Sequence, residues 1–147
     1  MFIGLLKGTK AVKVLLRKGR TVAVLETRVL VEQAHRQAVL TPTANVADFL
    51  QDLLGRRLVA YIAGVKDAKT VSRWAGGEVE ARQESETRLR TAYEIAHLLI
   101  EFDSSRVIKA WFIGLNPQLG DMSPAEAIHD GQLKEALAAA RAFIAGG

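Results

Sequence analysis

"VKDAKTVSRWAGG", residues 65–77, is the stretch on which the fold turns. It holds one short helix's worth of residues between two stop signals. Asp67 stands where a carboxylate accepts from first-turn amides, and Gly76-Gly77 permits a left-handed exit. Within the helix so bounded, Val71 and Trp74 are three apart and share a face. Lys69, Thr70, Ser72 and Arg73 occupy much of the remaining circumference. So short a helix is marginal alone, so the apolar pair must be buried for it to persist. The spacing predicts that Val71 and Trp74 pack inward on Phe49, Leu58 and Ile62.

Upstream, Val46, Phe49, Leu50 and Leu53 recur with helical spacing and Gly55 ends the run. Leu58, Tyr61, Ile62 and Val65 repeat the pattern. Three helices in order, the last two joined by a tight turn, are the layout of a helix-turn-helix. Ala60 and Gly64 stand four apart, and Val71 follows Gly64 by seven, one residue more than the commonest form of the motif has. On that layout Lys69, Thr70, Ser72 and Arg73 are the candidate DNA-reading residues. Arginine reads guanine bidentately for about 1–3 kcal/mol per good contact. Lys66, Arg56 and Arg57 suit phosphates, which hold register and carry no sequence information. The plain alternative is that these side chains merely solvate a surface helix.

Downstream the pattern stays helical, so the expected fold class is all-α. Leu89, Ala92, Tyr93, Ala96, Leu99 and Ile100 form an apolar stripe. Ser104 is placed to cap a run containing Val107, Ile108, Trp111, Phe112 and Leu115, which Asn116-Pro117 stops. Ser123-Pro124-Ala125-Glu126 is a capping box with proline at the first helical position. Asp130-Gly131 turns the chain, and Leu133, Leu137, Ala140 and Ile144 line a final helix.

Residues 1–45 form a basic arm that periodicity leaves unresolved. "AVKVLLRKGRTVAVLE" alternates around Lys18-Gly19 like a hairpin, whereas "RVLVEQAHRQAVL" suits a helix equally well. Thr41 to Asn45 reads as a linker, with Asn45 as a candidate N-cap.

Composition narrows the functions. The 147 residues are enough for one or two small domains, and 49% hydrophobic content argues against wholesale disorder. The absence of cysteine excludes a disulfide framework and a thiolate metal site, and fits a reducing cytoplasm. No apolar run approaches the roughly 20 residues that span a bilayer. The opening "MFIGLLK" is too short and wrongly ordered for a signal peptide. The formal charge of +4 is uneven: residues 1–40 carry +6 and residues 55–75 carry +4, while residues 76–147 carry −4. Positive charge ahead of residue 76 suits a polyanion at one end and a different partner at the other. His35, His97 and His129 lack metal-ligand spacing, and no phosphate-cradling loop, nucleophile elbow or dinucleotide fingerprint appears. Ser123 with Glu126 is explained by capping, so no catalytic residue, metal or cofactor is expected.

With "AYIAGVKDAKTVSRWAGG" stand "RLRTAYEIAHLL", "VIKAWFIGLNPQL", "SPAEAIHDG" and "LAAARAF". Together they resemble the Xre/MbcA/ParS antitoxins, the partners of RES-domain toxins, from about Val46 to Gly147. The resemblance implies a helix-turn-helix over 46–80 that binds the operator of its own operon, and a helical toxin-binding domain over 81–147. It implies no catalysis and no cofactor. The partners implied are a cognate RES-domain toxin, which depletes NAD, and operator DNA, with a homodimer or larger mixed complex expected. The final helix and terminal residues of relatives approach the toxin's cleft. That points to Leu137, Ala140, Arg141, Phe143, Ile144, Gly146 and Gly147 as toxin-binding residues. The alternatives are a structural interaction module with a vestigial helix-turn-helix, and a stand-alone transcriptional regulator without a toxin.

Overall fold

A computed structural model describes residues 20–146, with side chains from Val24 onward. All regular structure among the described residues is helical: α1 (Arg20–Leu40), α2 (Thr43–Leu54), α3 (Arg56–Ala63), α4 (Ala68–Ala75), α5 (Gln83–Leu99), α6 (Ser105–Ile113), a 3-10 turn (Pro117–Leu119), α7 (Pro124–His129) and α8 (Leu133–Ile144). The all-α expectation holds. None of these helices is long and apolar enough to cross a membrane.

The core is organised around α5. From Leu89 onward its buried residues include Ala92, Tyr93, Ile95, Ala96, Leu98 and Leu99, so burial extends well beyond one stripe. The cause is that α1, α2, α3, α7 and α8 all pack against it. Ile100, expected in the stripe, is 40% exposed where the helix ends. One continuous apolar cluster joins Val46, Leu50 and Leu54 of α2, Val59 and Ile62 of α3, and Val71 and Trp74 of α4. It continues through α5 into Ile108 and Phe112 of α6, Ile128 of α7 and Ala136 of α8.

The arm differs from the hairpin expectation. Its first strand lies outside the described residues, and the segment after Gly19 is helix, not strand. Leu30, Val31, Ala34 and Ala38 recur at helical spacing and dock on Leu98, Phe102 and the core, where two alanines permit close approach. Pro42, which cannot extend α1, separates it from α2. Helix α2 therefore begins at Thr43, and Asn45 lies exposed inside its first turn instead of capping it. Arg90 of α5 latches this junction. Its guanidinium donates to the carbonyls of Ala38 at 2.7 Å and Thr41 at 2.8 Å, and to Thr43 Oγ1 and Glu86 Oε1. The Thr43 hydroxyl donates to Glu86, and that bond, followed by Arg90, holds the Glu86 carboxyl below its ordinary range.

The inward face of α3 is also rotated from the one periodicity implied. Val59, Ala60, Ile62 and Ala63 are buried, while Tyr61 is 42% exposed and Leu58 and Val65 are only partly covered. Helix α3 is packed by α2, α4, α5 and α7 together, so burial extends around it beyond a single stripe.

Candidate nucleic-acid interface

Helix α4 is fixed at both ends by backbone chemistry the local sequence supplies. Asp67 Oδ1 accepts the Lys69 amide at 2.9 Å, satisfying one first-turn donor. Its far end closes with Gly77 at φ +70°: the Glu78 amide donates to the Arg73 carbonyl and the Gly77 amide to that of Trp74. The same pattern closes α3, where Gly64 at φ +82° donates to the Tyr61 carbonyl and Val65 to that of Ala60. The positive φ at Gly64 is what calls for glycine there; a Cβ would also stand 2.8 Å from the tip of the Arg88 side chain, which can move aside.

Between these ends Val71 is fully buried and Trp74 nearly so, as the spacing predicts. Lys69 and Arg73, four apart on one face, are exposed, as are Lys66, Arg56 and Arg57. Arg73 Nε lies 3.9 Å from Glu78 Oε2 with both side chains more than half exposed, a contact that solvent leaves nearly worthless. The cations are therefore available to a polyanion.

Two predicted readers sit differently. Ser72 is half-buried, donates to Gln51 Oε1 at 3.2 Å and accepts from Arg56 Nη1 at 3.4 Å. Its hydroxyl ties α4 to α2 and orients Arg56. Thr70 is half-buried in a hollow with Trp74, Val79 and Arg88, turned toward α5. The Gln51 contact was not disclosed by the sequence, because it requires α2 to lie beside α4.

The carboxy-terminal candidates are split. Ala140 is fully enclosed with Ala136 and Ala139, so it seats α8 and offers nothing to a partner, contrary to its place among the toxin-binding residues. Leu137, Phe143 and Ile144 are half-buried, Phe143 against Trp111 at 6.2 Å and Ile144 against the α1 cluster. Arg141 and Gly146 are exposed, and Gly147 lies outside the described residues. Among the described residues the most exposed large apolar side chain is Leu115, at 78%, and Ile113 nearby is 57% exposed. Both belong to the "WFIGLNP" segment, in which Phe112 is fully buried while its aliphatic neighbours Ile113 and Leu115 turn outward.

The histidines have separate settings. His97 is half-buried, stacked on Phe49 at 5.0 Å and tilted on Tyr93 at 4.5 Å, and burial lowers its pKa. It is thus neither a surface residue nor one placed by a hydrogen bond. His35 meets the buried Glu94 at 3.2 Å, and His129 contacts Tyr61. Among the described residues no three His, Cys, Asp or Glu side chains converge as a metal site would require. Ser123 and Glu126 form the full capping box, with the Ser123 amide on Glu126 Oε2 at 2.7 Å and the Glu126 amide on Ser123 Oγ at 3.1 Å. That reciprocal pair, led by the Ser123 amide, draws the Glu126 carboxyl below its ordinary range. Comparisons with protein-family models, with curated proteins and with solved structures find no match.

Proposed function

We propose that this chain is a DNA-binding antitoxin: α2–α4 grip duplex DNA and the acidic remainder covers a RES-domain toxin. One observation carries the reading. Lys69 and Arg73 stand exposed on a helix whose opposite face, Val71 and Trp74, is locked in the core. A rod so anchored presents its cations without losing its position, which a major-groove contact requires. Lys66, Arg56 and Arg57 surround it as phosphate contacts, and Ser72 serves by fixing Arg56. The −4 balance of residues 76–147 suits the basic mouth of an enzyme that receives a pyrophosphate. The resemblance of the "AW…NP" and "PAE…DG" segments supports the toxin assignment. The protein on this reading is a cytoplasmic homodimer, or part of a larger mixed complex with the toxin, and acts without catalysis or cofactor.

The second reading is a stand-alone helix-turn-helix regulator, which the exposed cationic face of α4 favours just as well. Deletion of residues 137–147 would not separate the two, because it removes Ala139 and Ala140 from the core. Point substitutions do. Lys69→Ala with Arg73→Ala should weaken duplex binding at least tenfold in a gel shift while leaving rescue of cells from a co-expressed RES toxin intact. Arg141→Glu should do the reverse. Undiminished DNA binding in the double variant sinks the interface, and a RES protein that this chain never neutralises leaves the stand-alone regulator.

A further inference from the structure

Helix α7 ends directly beneath the carboxyl end of α3. There His129 Nδ1 lies 2.6 Å from the carbonyl oxygen of Tyr61, and the two rings stack 4.4 Å apart and within 5° of parallel. A carbonyl only accepts, so Nδ1 carries a proton and the ring's position and tautomer are both set. Nε2 is the nitrogen left for an outside partner. His129 is half-buried and forms the wall of an open hollow whose rim holds Arg57 of α3 and Lys66 of the following turn. The remaining lining is Ala60, Tyr61, Gly64, Val65 and Ala68, small apart from the tyrosine, so the floor lies low between the polar groups.

We infer that Arg57, Lys66 and His129 Nε2 form one seat for a backbone phosphate of duplex DNA, in which the imidazole becomes a third contact on protonation, because with Nδ1 committed to the Tyr61 carbonyl Nε2 donates only in the imidazolium. The inference rests on the DNA-contact reading above and extends it onto α7, outside the helix-turn-helix. Lys66 and Ala68 of the hollow's lining stand directly before Lys69 in the chain, so the seat adjoins the start of the cationic helix α4. One face of Tyr61 is taken by His129, which favours a phosphate over a stacked free base.

The charges around the imidazole are mixed. Arg57 and Lys66 face it from α3 and the turn, with the Tyr61 hydroxyl. Glu126 and Asp130 lie on its own helix and at that helix's end, close enough to Tyr61 that, after burial, they push its hydroxyl upward. Glu84 and Arg88 of α5 line the neighbouring hollow at Gly131, and neither α6 nor α8 contributes to the lining around His129.

The test uses the whole chain and a mixed-sequence duplex of about three helical turns. Binding is followed by fluorescence anisotropy across a salt series at about pH 6 and pH 8, the interval over which imidazoles change charge. Each phosphate contact adds about 0.9 to the salt slope. The wild-type slope should therefore be steeper by nearly that amount at the lower pH. His129→Asn keeps a donor for the Tyr61 carbonyl and removes Nε2, so its slope should be the same at both values. Arg57→Ala should lose about one contact at both. A His129→Asn slope that keeps the wild-type pH difference overturns the seat. Should that variant not fold, the wild-type imidazole resonances of His129 decide, since they must move when duplex is added. Resonances that respond to inorganic phosphate but not to duplex also overturn it, in favour of a small-anion site. If the wild type fails to bind duplex at low salt, the DNA reading falls too. If it binds, and Lys69→Ala with Arg73→Ala weakens it while His129→Asn changes nothing, only this inference is lost.

Discussion

Helices α4 and α8 both lie on the outside of the molecule with one face in the core, yet they are anchored by opposite means. Helix α4 is eight residues long and inserts two large side chains, Val71 and Trp74. Helix α8 is twelve residues long and presents three alanines, Ala136, Ala139 and Ala140. A large anchor fixes a short rod firmly against its neighbours, here α2 and α3, and leaves lysine, threonine, serine and arginine on the remaining circumference. A small anchor brings the backbone close, which pushes the larger side chains Leu137, Phe143 and Ile144 to the flanks, half covered. The first arrangement suits a partner read by charge and hydrogen bonds. The second leaves a mixed apolar rim with Arg141 beside it, a surface that another protein covers more readily than DNA does. The position of α4 therefore depends on what its anchor fills, and that of α8 on nothing intruding.

The largest effect expected from this contrast is at Trp74. Trp74→Ala should destabilise the protein by about 3–5 kcal/mol, because the cavity forms where the short helix has its main hold. Urea denaturation checks it, and a loss below about 1 kcal/mol would show that α4 is held elsewhere. Ala140→Leu approaches from the other side, since it adds volume where the backbones are closest. Overpacking of that kind costs about 1–3 kcal/mol. On the proposed function the two variants should also differ in readout: the first abolishes duplex binding along with α4, and the second disturbs the α8 rim, and with it the proposed toxin contact, before DNA contact suffers. If Ala140→Leu is neutral, α8 has room to retreat and the small-anchor account is wrong.

Legibility in the sequence followed how local the cause was. The cap at Asp67, the glycine exits at Gly64 and Gly77, the capping box at Ser123 and Glu126 and the turn at Gly131 each involve residues a few positions apart, and all were readable. The exposure of Lys69 and Arg73 was readable too, because helical spacing fixes which residues oppose a buried pair. Faces were misread where several neighbours bury one helix. Periodicity finds a single stripe, but α5 is packed by five other helices and α3 by four. Arg90 was invisible for a different reason: its partners are carbonyls 52 and 49 residues earlier, on the arm that resisted assignment. The stacking of His129 on Tyr61 spans 68 residues, and no short-range rule anticipates it. Ser72 and Ala140 show the converse limit, since helical spacing gives the side of a helix and not how much of that side a neighbour takes.

The smallest expected effect tests the region where α5 meets α2, away from both outer helices. Burial against Phe49 and Tyr93 lowers the pKa of His97 below its ordinary 6.5, so the unfolded chain takes up the proton first as pH falls. Stability is then fully present above about pH 6.5 and is lost progressively as pH falls toward the folded-state value. Glu86, whose carboxyl is lowered by Thr43 and then Arg90, adds a similar loss only at pH values below the ordinary carboxylate range of about 4.5. Between pH 7 and pH 5 the two are separable. His97→Phe keeps an aromatic ring in the same stack and cannot titrate, so its melting temperature should vary less over that interval than the wild type's. Parallel melting curves for the two proteins would mean that the imidazole is as well solvated as in the unfolded chain.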